Sequence, residues 1–326
     1  MTLPRRALVF AALAGPALIT RPGHAQTRLR LAHTLQTTHS WHIAAEGFAR
    51  EVGERTSGRV QVQVFPGGQL GAARQVLEGL QTGTVELTIV GSSDLNTFDP
   101  RFGIVELPYA WLSREQAFAA LDGPLGNALG ALIEPRGMVN LAWWENGLRH
   151  VTNRRRPVVV PADLSGLKIR TPPDRVRVDT FRALGAEPAP LAFGELYGAL
   201  QQGLFDAQEN PLSIIYTSSF FEVQRYLSFT GHVWGGANLL ASRRTFERVA
   251  APDREVVREI AHKWGNEQRR LIGDSDADFA GRLRARGMQF NEVDKPAFQR
   301  AVQPVWAQYE GPIGAEIMGL YRRAIA

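Results

Sequence analysis

Apolar positions along this chain repeat with two different spacings that take turns. Leu29, Leu31 and His33 fall on one face of a two-residue repeat, as a strand requires, and a polar loop from Thr34 to Ser40 follows. Trp41, Ala44, Ala45, Phe48, Ala49 and Val52 then recur at the three-and-four spacing of a helix face, which stops at Ser57-Gly58. Val60, Val62 and Val64 alternate with Arg59, Gln61 and Gln63 as a second strand, before Phe65-Pro66-Gly67-Gly68 turns the chain. A helix through Val76, Leu77 and Leu80 ends at Gly83, and a third strand over 85–90 opens into Gly91-Ser92-Ser93-Asp94. This order predicts an α/β fold with a mainly parallel sheet, whose carboxyl-edge loops are free to hold a ligand. No phosphate-binding loop interrupts it.

Beyond this point the spacing predicts a helix over 113–133 and a strand from Met138 to Trp144 that runs into Glu145-Asn146-Gly147-Leu148-Arg149. From Arg149 to Thr230 strands and helices alternate again, with helices at Asp174–Leu184, Phe193–Gln202 and about Ser213–Val223, which reads as a second lobe. Within it, Leu167 and Ile169 face one way and Lys168 and Arg170 the other, until Pro172-Pro173 stops the strand. Arg170 is thereby left at a sheet rim, where its planar fork of donors suits a carboxylate or phosphate. Pro252-Asp253 opens a long helix that reaches about Arg286 and has the length to brace both lobes. The final segment, Pro296 to Ala326, is mostly helical, with Trp306, Ile313, Ile317 and Leu320 as its buried stripe.

Composition narrows the classes. The 326 residues, 44% of them hydrophobic, suffice for two packed lobes. The absence of cysteine excludes disulfides, thiolate metal sites and a cysteine nucleophile. Residues 1–25 read as an export signal: Arg5-Arg6, the apolar run Ala7 to Thr20, then Gly23-His24-Ala25 before a cut at Gln26. The paired arginines fit general and twin-arginine export alike. A membrane anchor fits poorly, because the run falls short of the roughly 20 residues a span needs and Gly15-Pro16 breaks it. The leader holds Arg5, Arg6 and Arg21 and no acid, so removing those three charges from the formal +5 leaves +2. That mild charge gives no footprint for nucleic acid, and Arg154-Arg155-Arg156 before Pro157 reads as a solvated turn.

Several blocks, taken together and in order, resemble one family. They are Asn146 to Asn153, Gly166 to Pro172, Phe193-Gly194-Glu195-Leu196-Tyr197-Gly198-Ala199-Leu200-Gln201, and Asp206 to Pro211. Phe65-Pro66 through Gln69-Leu70-Gly71, Leu107-Pro108-Tyr109 and Phe221 to Leu227 agree as well. The pattern is similar to the DctP-type solute-binding proteins, the extracytoplasmic receptors of TRAP (tripartite ATP-independent periplasmic) transporters. The resemblance implies a two-lobed periplasmic-binding-protein architecture that closes on an organic acid, and an integral-membrane permease as partner. It implies a periplasmic protein without enzymatic activity, cofactor or metal. Lobe I is expected at 26–146 plus about 236–275, and lobe II at 147–235 plus about 276–326. By the same resemblance Arg170 would grip the ligand carboxylate bidentately, Arg149 would add a second cationic contact, Asn210 would hydrogen-bond the acid and Phe193 would pack on its body. His33, Trp234 and Asn238, with His39, His42, Trp143 and Trp144, are further candidates for the cleft wall. Family members that take sialic acid look acidic where this chain has Gly91, Ala72 and Ala73, which argues against that ligand.

Two other chemistries compete. His39-x-x-His42 with His33 suggests a metal site, although HExxH and thiolate ligands are missing. An exported hydrolase would need a nucleophile motif, and Gly-x-Ser-x-Gly is absent. A receptor serving a sensor or another transporter class would carry the same sequence features.

Overall fold

A computed structural model describes residues 26–326. The expected export signal lies outside the described residues. Nine strands form one sheet: β1 (Thr27–Ala32), β2 (Val60–Phe65), β3 (Leu87–Gly91), β4 (Met138–Asn153), β5 (Lys168–Thr171), β6 (Glu187–Pro190), β7 (Ala207–Pro211), β8 (Tyr226–Ser242) and β9 (Gln289–Asn291). Their order is β2-β1-β3-β8-β4-β7-β5-β6, with β9 beside β8. Two parallel wings, β2-β1-β3 and β7-β5-β6, therefore flank a central antiparallel pair. The predicted parallel character holds in the wings and between β8 and β9. The difference lies in β4 and β8, which at 16 and 17 residues lie between the two wings and join them into one sheet.

The sequence pattern stops short on both strands. The alternation predicted β4 only to Trp144, because register shifts between Asn140 and Ala142, Glu145 and Gly147, and Arg149 and Val151 break the two-residue period there. Gly147, at φ 122°, makes the middle shift with a backbone that other residues avoid, and a Cβ on it would lie 3.0 Å from the Pro211 ring. Gly147→Ala should therefore destabilise the fold by about 1–3 kcal/mol, read as a lower melting temperature.

Buried residues divide between the two sheet faces, as neighbours along one strand show: Trp143 joins one core and Trp144 the other. The helix expected over 113–133 is two helices, Arg114–Leu121 and Pro124–Ile133, parted at Gly123-Pro124. The long helix is Ala251–Ala285, 35 residues and thus about 52 Å at 1.5 Å per residue. It packs on the helix Ser40–Arg55, on β4 and on the helix Leu212–Thr217. At its middle, Gly265 lets the Trp144 ring approach so closely that a Cβ would sit 3.0 Å from it. Further on, the Phe279 ring lies 5.4 Å from that of Tyr216, on the helix Leu212–Thr217, at a tilt of 43°. The brace expected from sequence is built by these contacts.

Candidate functional site

Arg170, Arg149, Asn210 and Phe193 all line a single cavity of about 150 Å³, formed where β3, β5 and β7 end beside the middle of β4. Phe193 and Gly194 also border a wider polar recess of about 520 Å³, lined further by Tyr197, Ser219 and Glu222. Phe193 thus stands between the inner cavity and its mouth.

Arg170 is only 2% exposed, yet its hydrogen bonds among the described residues go to a neutral group. Its Nε and one Nη donate to the Leu191 carbonyl at 2.9 and 2.6 Å, which fixes the guanidinium just beyond β6. Among the described residues no carboxylate forms an ion pair with it. Burial pulls its pKa down to about 10, with Glu209 opposing and Arg149 adding to the fall. It is still a cation at neutral pH. A buried charge without a partner is costly, and a ligand carboxylate removes that cost.

Arg149 has a different situation. Its Nε donates to Glu209 Oε2 at 2.5 Å, one Nη to Glu209 Oε1 at 2.9 Å and to Asn210 Oδ1 at 3.0 Å, and the other to Asn146 Oδ1 at 2.8 Å. The second cation expected from sequence is therefore already ion-paired within the protein. Asn210 sends Nδ2 to Gln208 Oε1 at 2.5 Å, leaving one amide hydrogen to donate.

Glu209 is the centre of this network. Arg177 reaches it at 2.5 Å and also reaches Glu106 at 2.5 Å, while His232 Nε2 lies 2.9 Å from Glu209. Burial works against the charged form of Glu209, but Arg149 and Arg177 outweigh it and hold this carboxyl well below its usual range. At Glu106 burial wins over Arg177 and pushes the carboxyl up to about 8. Burial likewise lowers His232 to about 4, so its ring is neutral.

The remaining sequence candidates lie elsewhere. His33 is buried with its Nε2 3.2 Å from His42 Nδ1, and His39 caps the helix Ser40–Arg55 by accepting from the Trp41 amide at 3.1 Å. Among the described residues no three histidine, aspartate or glutamate side chains are placed to hold a metal. Trp234 packs edge-on against Trp111 and Phe118 and donates to Glu145 Oε1 at 2.8 Å. Asn238 bridges Asn140 at 3.1 Å and Ser92 at 3.2 Å inside the sheet. None of His33, His39, His42, Trp234 and Asn238 lines the cavity. Both Trp234 and Asn238 sit on β8, a strand the sequence pattern did not reveal. Trp41 does line the cavity, with its indole N–H fixed on the Glu145 carbonyl at 2.7 Å. Its place in an apolar helix stripe concealed that role. Ala72, Ala73 and Gly91 leave the wall between them small, and Asp94 supplies the acid on that side.

A two-lobed α/β receptor with an arginine-lined cavity is the class this arrangement defines. The family model described as bacterial extracellular solute-binding protein, family 7 (DctP), matches residues 31–311. A solute-binding protein of Verminephrobacter eiseniae is 38% identical over 302 residues, covering 92% of this chain and 90% of that one. Among solved structures, a TRAP periplasmic solute-binding protein of Bordetella bronchiseptica, with density assigned to pantoate, superposes at a TM-score of 0.89 with 36% identity. The match covers 92% of this chain and all of the other. A Polaromonas TRAP solute-binding protein bound to D-erythronate superposes at 0.88 with 36% identity, covering 91% and 98% of the two chains. The chain belongs to the DctP family of extracellular solute-binding proteins.

Proposed function

We propose that this chain is an exported receptor that captures a small organic acid between its lobes and hands it to an integral-membrane TRAP permease. The observation that carries this reading is Arg170, a buried guanidinium facing the cavity with no acidic partner among the described residues. In the bound state Arg170 takes the carboxylate and Asn210 donates its remaining amide hydrogen, while Phe193 and Trp41 pack on the ligand body. Arg149 acts through its grip on the Asn210 carbonyl oxygen, while its ion pair with Glu209 holds its guanidinium in place. Lobe I comprises 26–146 plus about 236–275 and lobe II 147–235 plus about 276–326, and closure brings Phe193 toward Trp41. The ligand leaves chemically unchanged. The relatives bound to pantoate and D-erythronate support an acid of that size.

A thermal-shift screen tests this on the mature chain, unfolded and refolded to strip carried ligand. Carboxylates are compared with neutral analogues of the same skeleton. An acid at about 100 times its dissociation constant should add about 2.7 kcal/mol of stability. Stabilisation by neutral compounds alone would overturn the reading.

A further inference from the structure

Asp94 is the one carboxylate among the residues that line the inner cavity. It stands in the short helix Ser92–Leu95 after β3, half-buried, and no side chain donates to it among the described residues. The Gly91 backbone is its hydrogen-bonding neighbour. A carboxylate has about four acceptor sites and no donor when ionised. Most of its capacity therefore faces the space a ligand would fill.

We infer that Asp94 selects the ligand by accepting a hydrogen bond from a hydroxyl of the bound acid and by repelling a second carboxylate, so the site takes hydroxylated monocarboxylates in preference to dicarboxylates. This rests on Arg170 as the anchor for the first carboxylate. The charge balance of the cavity supports it. Arg170 is consumed by the first carboxylate, and Arg149 is held in an ion pair with Glu209, which it shares with Arg177. Arg74, on the same wall, pairs with Glu78 at 2.9 Å and projects into solvent. A second carboxylate would thus meet Asp94 with no free buried cation to offset it, and like charges at short range in a dry site are strongly unfavourable. A hydroxyl in the same place satisfies an acceptor that otherwise loses its water on closure.

The groups that set the titration of Asp94 come from several elements. Burial raises it to about 6; Arg170 on β5 and Arg149 on β4 lower it, and Asp174 after β5 raises it. Its neutral form is therefore within reach of mild acid.

The test is calorimetric titration of the refolded mature chain with D-erythronate, L-galactonate and succinate. Wild type, Asp94→Ala and Asp94→Asn are compared at about pH 7.5 and about pH 5. Wild type should bind at least one hydroxy acid more tightly than succinate. Asp94→Ala should weaken that hydroxy acid about ten- to a hundredfold and tighten succinate, collapsing the ratio. In wild type the ratio should also narrow toward pH 5, while in Asp94→Asn it should move only as far as the ligands' own titration carries it. If Asp94 merely screens Arg170, both acids shift by the same factor in the variants and the ratio stands, which overturns the inference and leaves the receptor reading intact. A wild-type preference for succinate also overturns it. If wild type binds none of the three acids, the receptor reading fails and this inference with it. Should Asp94→Ala not fold, Asp94→Asn and the pH series carry the same decision.

Discussion

Arg170→Ala is expected to abolish measurable binding of the ligand acid. Losing one partner of a buried charge-assisted pair costs about 2–5 kcal/mol, or roughly 30- to 5,000-fold in affinity. Arg170→Lys should recover little, because an ammonium lacks the fork that engages two carboxylate oxygens while still bonding Leu191. The ligand-free protein should respond in the opposite direction. Its guanidinium is buried without a salt-bridged carboxylate among the described residues, so Arg170→Met, which keeps the bulk and removes the charge, relieves desolvation without opening a cavity. The ligand-free variant should melt no lower than wild type, and added acid should no longer move the transition. A residue with only a structural role would show the reverse, with lower stability and unchanged affinity. Calorimetric titration beside a melting curve separates the two.

Glu209 carries the second large effect. Substituting Glu209 by glutamine leaves Arg149 and Arg177 buried with their shared carboxylate gone, and breaking such a pair typically costs about 3–5 kcal/mol. Chemical denaturation should show this loss at neutral pH. The pH dependence follows from the depressed folded pKa of Glu209. An unfolded glutamate titrates near 4.3, so the stabilisation is fully present above that value and is lost as pH falls through the lower, folded one. Between wild type and Glu209→Gln, the stability difference should therefore shrink on acidification below about pH 4. A difference that stays constant with pH would mean that the guanidiniums find other partners.

These two residues show how far the sequence can be read. Arg170 was legible because a strand's two-residue period and a following proline pair together fix both the side it faces and the place where its strand ends. Glu209 lies in a block that was legible as a unit, Asp206 to Pro211, but its role depends on which residue faces it across the sheet. The β4–β7 register, which sets Arg149 opposite Pro211 and Val151 opposite Glu209, brings Glu209 to Arg149, the helix Arg175–Ala183 brings Arg177 to it, and periodicity along one strand contains no such information. Trp234 and Asn238 fail for another reason. The central part of β8 is buried on both faces, so Gly235-Gly236 and its apolar neighbours show neither the helical nor the strand alternation. Trp41 was legible as a helix residue and invisible as a wall of the cavity, because the same stripe serves both purposes. The α/β order, the long helix and the two-lobed outline needed only local patterns. Those survive without knowledge of what packs against what.

In the lobe division proposed above, the chain passes between lobes inside β4, β8 and the long helix instead of through a linker. Neither lobe is consequently a portable module. A cut between Asn146 and Gly147 would leave two half-sheets, each ending in unpaired backbone donors and acceptors that invite association with another copy. Grafting one lobe onto a relative to exchange ligand preference would meet the same obstacle, since both crossing strands must be transplanted in register. Diversification of this scaffold is thereby channelled into side chains at the strand ends, where single substitutions such as those at Ala72, Gly91 or Asp94 change the cavity and leave the shared sheet whole.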